Sequence, residues 1–306
     1  MFLIMITGIL IFFSIKAILA LETDPLIARA IVAGNVNEEM MIGGGYSLAY
    51  ALAIIVPALL YFIISKNDKN PITVFKNIVF EKTQTLIMLL IVIFFCFVVI
   101  KSMYAISLLI LIVGCFYAVL VASFTRNKLL FGILIFLTIT SLFLNQLLIH
   151  EFINYLNKFD PNLLIRKLIE VSDYIQNASD SYIDIYGSFG GRISMYFDSL
   201  NVFLDNIIWG IAYKYELNQD MMMSAGLGNH SEWFDTLARY GIFGILYIWF
   251  LISVKKTYWG QKGFMIAYSI FFILGFFNPI HLFTIFFATF YFVPKLNKYF
   301  MEASKA

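Results

Sequence analysis

Charge is scarce in this chain. Only 13% of its 306 residues are Asp, Glu, Lys or Arg, against about 25% in a soluble globular domain. Cysteine is scarcer still: Cys96 and Cys115 both fall inside apolar runs, where a free cysteine behaves as a small hydrophobe. That excludes a disulfide scaffold, and the lack of any C-x-x-C or His/Cys cluster gives no pattern for a metal. The net charge of +2 contains no basic stripe, so a nucleic-acid partner is not expected. Met1–Ala20 lacks a basic start and a small-x-small cleavage site, so it reads as an anchor and not as a signal peptide.

What the chain has in abundance is apolar surface: 61% hydrophobic residues and a mean hydropathy of +0.85. A helix crossing the hydrocarbon core needs about 20 apolar residues. Eight spans are expected near 2–20, 46–65, 85–103, 105–123, 129–149, 240–254, 263–277 and 280–294, the last three short and the last two divided at Asn278-Pro279. The fold class expected is an all-α polytopic membrane bundle. Residues 1–149 would carry about five spans, 150–239 one long loop, and 240–306 about three spans and a tail.

Lysine and arginine orient such a chain. Twelve of them fall in 66–83, 125–128, 255–262 and 295–305, whereas the short connections on the other side hold Arg29 and Lys101. Both termini are therefore expected in the cytoplasm and the long loop outside, where nucleotides are lacking. The loop holds twelve acidic residues and six basic ones. Ionisable residues inside the spans are few, which weakens an ion-coupled transporter.

Three stretches of the loop stand out. Asp160-Pro161 followed by Leu164, Leu168, Val171 and Ile175 predicts a helix with an apolar stripe, suited either to the bilayer surface or to packing on the spans. Gly190-Gly191-Arg192 opens a second helix, predicted over 193–204. Arginine beside the first amides of a helix suits a phosphate or pyrophosphate, although pairing with Asp198 would equally account for it. In Gly226-Leu227-Gly228-Asn229-His230-Ser231-Glu232-Trp233, Asn229 and Glu232 have capping-box spacing. A helix is predicted to begin at His230 and to run into the sixth span. The positive end of that helix favours a neutral imidazole, which can serve as a general base. A histidine that merely hydrogen-bonds the loop is the plainer alternative. His150 and His281 read as interface residues.

Residues Gly190 to Phe250 resemble the O-antigen polymerase and O-antigen ligase superfamily of bacterial envelope enzymes. The resemblance rests on Arg192 after small residues, Asn206-Ile-Ile-Trp-Gly210, the Gly-x-Gly turn before His230, and Leu237-Ala-Arg-Tyr-Gly241-Ile-Phe-Gly244. Gly43-Gly44-Gly45-Tyr46 leading to Tyr50 and Pro57 is similar to capsule polymerases of this type, and Arg29 falls where they often carry an arginine. Members commonly have more spans than the eight counted here, and many have Pro-x-Gly where this chain has Ile208-Trp209-Gly210. The resemblance implies a polysaccharide polymerase of the bacterial plasma membrane, joining polyprenyl-pyrophosphate-linked oligosaccharide repeat units outside the cell. It implies neither cofactor nor metal, and it allows a chain-length regulator as partner. On that basis His230 would accept the acceptor proton and Arg192, with Arg29, would bind pyrophosphate. Asn229, Glu232 and Trp209 would orient sugar or histidine. Alternatives are a ligase that moves finished glycan, a lipid-monophosphate transferase using Glu22/Asp24 or Glu38/Glu39, and a lipid-glycan flippase.

Overall fold

In the computed structural model the described residues are 2–23, 46–65, 78–102, 104–126, 189–228, 230–254, 258, 260–278, 280 and 283–303. Every regular element among them is helical: α1 Phe2–Thr23, α2 Tyr46–Ser65, α3 Ile78–Lys101, α4 Ala105–Arg126, α5 Phe189–Asp205 and α6 Gln219–Ser224. They are followed by α7 Glu232–Tyr240, α8 Ile242–Val254, α9 Lys262–Phe277, α10 Phe283–Phe287, a π-helical turn Ala288–Phe292, and α11 Val293–Ala303. The windows Met5–Glu22, Ser47–Ser65 and Ile106–Ser123 are long and apolar enough to cross a bilayer, whereas Thr85–Lys101, Ile242–Val254 and Lys262–Phe277 are apolar but shorter. The run 129–149, the helix expected after Asp160, Asn177, His150 and His281 lie outside the described residues.

The chain divides into two compact units, Met1–Leu142 with Trp259–Phe271 and Leu282–Ala306, and Phe143–Tyr258 with Phe272–His281. In the first, α2 is the central helix. Leu52, Ala53, Ile54, Val56 and Ala58 are fully buried on it, which no helix with a lipid face along its whole length could show. Its alanines permit close approach, as small residues do between helices in membranes. Pro57 lies inside α2, and a Cβ at Gly114 of α4 would come within 2.7 Å of both Pro57 Cγ and Ile270 Cδ1. A larger residue at 114 would require Pro57 and Ile270 to shift.

The last helical stretch is longer than the expected 280–294, because it continues to Ala303. Leu296 and Asn297 remain buried beyond that limit while Lys295 and Lys298 are exposed, an amphipathic pattern in which the apolar run stops and the helix continues. The π turn falls just before Pro294, whose missing N–H and ring disturb the ordinary bond to the preceding turn.

Candidate functional site

The second unit is built around α7. Before it, α6 is capped by Asn218, whose Oδ1 accepts the Met221 amide at 3.1 Å. The chain then turns at Gly226, at a φ of 98° that only glycine adopts freely. Gly228 is required for another reason: a Cβ there would lie 2.2 Å from the Met195 carbonyl oxygen of α5. The Gly-x-Gly turn thus lets the chain reverse and then lie directly on α5. Val202, Ile211, Ala212, Met222, Leu227 and Ala238 close a small apolar core beneath it.

Hydrogen bonds to buried groups then fix the segment 228–232 on three sides. Asp235, only 3% exposed, accepts from Ser199 Oγ at 2.6 Å through Oδ1 and from the Ser231 amide at 3.1 Å through Oδ2. Ser199 Oγ in turn accepts the Gly228 amide at 2.9 Å. Ser231 Oγ donates to the Gly275 carbonyl at 3.1 Å, and Trp233 Nε1 donates to the Phe272 carbonyl at 2.9 Å while its ring stacks on Phe272 at 4.8 Å. Glu232, 8% exposed, accepts the Ile280 amide at 2.8 Å and the Thr236 hydroxyl at 3.3 Å. Both carboxylates stand in the first turn of α7, where the helix dipole favours negative charge. Buried carboxylates require such partners, since an unpaired one would be too costly to desolvate.

His230 sits in the middle of this tethered segment, partly buried, in a bend. Here the expected capping box is corrected. The cap is Ser231, α7 begins at Glu232, and His230 stands ahead of the helix and not in its first turn. Glu232 cannot return to the cap because its carboxylate is engaged by Ile280, from the segment after α9, and Asp235 takes the cap amide instead. Nor does the helix run unbroken into the apolar stretch. It stops at Gly241, with φ 59°, and α8 begins at Ile242.

Of the remaining site residues singled out in the sequence, Trp209 alone has a described side chain. Position 192 lies in the first turn of α5, which begins at Phe189, four residues earlier than predicted. It is seven residues before Ser199, hence on the same face of the helix; its side chain lies outside the described part. Asn229 and Arg29 are outside the described residues as well. Trp209 is described and is remote from His230. Its ring packs on Phe243 at 5.7 Å, beyond the other end of α7. The nine residues of α7 alone span about 13 Å.

The motif around Trp209 has a structural cause. The backbone of 208–212 pairs with the end of α7: the Ile211 amide donates to the Ala238 carbonyl and the Ala212 amide to the Arg239 carbonyl, both at 3.0 Å. A Cβ at Gly210 would stand 2.1 Å from the Arg239 oxygen, and one at Gly241 would stand 2.5 Å from the Ile207 oxygen. Gly210 and Gly241 are therefore two halves of one backbone contact.

Asp235, Ser199 and Ser231 were not singled out from the sequence. The available signal was the acidic pair Glu232 and Asp235, three residues apart among aromatics. Among the described residues no group of three His, Cys, Asp or Glu is placed to hold a metal ion. No protein-family model, curated protein or solved structure matches this chain.

Proposed function

We propose that this chain is a polysaccharide polymerase that joins polyprenyl-pyrophosphate-linked oligosaccharide units at the outer face of a bacterial plasma membrane. In this reading it has eight spans, and residues 150–239 form the exterior catalytic loop. The observation that carries the proposal is the fixed segment 228–232, in which a lone histidine is held between backbone amides tied to buried Ser199 and Asp235. Such an arrangement costs buried polar groups, and holding a general base in one geometry is a use that offsets that cost. The sequence resemblance over Gly190 to Phe250 supports the same reading and supplies the substrate class.

In the reaction, a hydroxyl of the acceptor unit attacks the anomeric carbon of the donor glycan. His230 takes the hydroxyl proton as the new glycosidic bond forms, and the bond to polyprenyl pyrophosphate breaks. Arg192, with Arg29, neutralises charge as it develops on the leaving pyrophosphate. Asn229 assists at the sugar, and Glu232 acts indirectly by fixing the start of α7. A chain-length regulator is the partner such a polymerase would take. A ligase carrying glycan to a different acceptor would use the same groups, and the acceptor requirement separates the two.

The test is reconstitution of the purified chain with lipid-pyrophosphate-linked repeat units, chelator and no nucleotide sugar. A ladder of lengthening glycan is expected. Transfer only to an added non-identical acceptor would make the protein a ligase. No transfer in either format would reject both.

A further inference from the structure

We infer that the segment 206–217 is a membrane-interface anchor, whose apolar side chains enter the boundary between lipid headgroups and acyl chains. Ile208, Trp209 and Tyr213 are 61%, 60% and 62% exposed, and Ile207 and Leu217 are exposed beside them. The segment is not a loose loop. Its inner residues Gly210, Ile211 and Ala212 are buried, Ile211 and Ala212 are bonded to the end of α7, and the Ile242 amide donates to the Ile208 carbonyl at 3.3 Å. Water would oppose a rigid surface that holds five large apolar side chains outward, and patches of that kind mark lipid or protein contacts.

Two observations select lipid. The first is continuity with α8, which carries no charged residue and has only Gly244 and Leu251 buried. Its 13 residues cover about 20 Å, short of the ~30 Å hydrocarbon core. Trp209 packs against Phe243 at the N-terminal end of α8, ring centroids 5.7 Å apart, so the turn extends the apolar surface of that helix outward. The second is the residue types at the rim. Lys214 donates to Asn206 Oδ1 at 2.6 Å and lies 5.8 Å from the Tyr213 ring, so its ammonium is held next to an exposed aromatic. Tryptophan, tyrosine and lysine together are the composition of an interfacial belt, with rings at headgroup level and the ammonium towards phosphate. Trp209 is thereby assigned to lipid and not to sugar. The assignment holds whether or not the chain polymerises glycan.

The experiment compares native protein with Trp209→Phe in vesicles of phosphatidylcholine and phosphatidylglycerol carrying brominated acyl chains. The fluorescence present in the native protein and missing in the variant belongs to Trp209. It should be lost most strongly when bromines lie near the headgroup end of the chain, and less when they lie near the bilayer centre. A nitroxide on Ile208→Cys supplies an independent reading, with collision by oxygen expected to exceed collision by an aqueous nickel chelate. No bromine quenching together with free access to nickel would place the segment in water and overturn the inference. Strongest quenching at the bilayer centre would overturn the interfacial placement. Protection from both lipid and nickel would also overturn it, by showing that another protein surface covers the segment.

Discussion

Replacing Asp235 with alanine should be among the most damaging single changes in the second unit. The carboxylate accepts two hydrogen bonds, at 2.6 Å from Ser199 and 3.1 Å from the Ser231 amide, and is 3% exposed. A hydrogen bond to a charged group contributes about 1.5–3 kcal/mol, so the two together suggest a loss of about 3–6 kcal/mol. The low end is favoured if water enters the space left behind. Ser199→Ala removes one of these bonds and the acceptor for Gly228, and should cost about 2–4 kcal/mol. Because the two substitutions share the Ser199–Asp235 bond, the double variant should lose less than the sum of the singles, by about 1–3 kcal/mol. Unfolding of the purified chain in detergent, followed by tryptophan fluorescence, measures all three. Native-like unfolding of Asp235→Ala, or strict additivity in the cycle, would refute the claim that this buried pair holds the His230 segment.

Further outcomes can be checked with single substitutions. Gly210→Ala and Gly241→Ala should each prevent folding of the second unit, since a Cβ would meet backbone at 2.1 Å and 2.5 Å at positions of φ 66° and 59°. Gly8→Ala in α1, where nothing lies within 4 Å, should be neutral or stabilising by about 0.5–1 kcal/mol; yields of folded protein compare the three. Glu232→Gln keeps an acceptor for Ile280 and should cost less than Glu232→Ala, which leaves that amide unpaired at a penalty of about 1–3 kcal/mol. Equal melting of the two variants would remove the tether from the account. Arg192→Ala should abolish polymer in cells without affecting membrane insertion, and normal polymer would take Arg192 out of the mechanism. A cysteine at Asn177 should react with an impermeant thiol reagent in intact cells; labelling only after lysis would invert the orientation.

The long apolar helices among the described residues were legible because apolar runs bounded by polar residues leave few choices. Tyr46–Ser65 was placed to the residue, and the stop at Phe277 followed from Asn278-Pro279. The site was legible in part. Its glycines, His230 and Glu232 stood out, but their connections did not, since Ser199 and Asp235 are 36 residues apart and nothing local announces their bond. Capping-box spacing assigned Glu232 to the loop before it. Tertiary structure instead brought Ile280 to that carboxylate and Asp235 to the cap amide. Trp209 fell into the same gap: its motif was visible, but only the backbone contact between Gly210 and Gly241 shows that it belongs to the far end of α7.

The central claim is that the tethered segment exists to hold His230 at a glycosyl-transfer site. The most direct measurement is turnover of lipid-pyrophosphate-linked repeat units by native protein and His230→Ala, with the unfolding of both recorded in the same detergent. The account predicts a glycan ladder from the native chain and none from the variant, with the variant still unfolding cooperatively as a folded protein. A ladder of native length and rate from His230→Ala would contradict it.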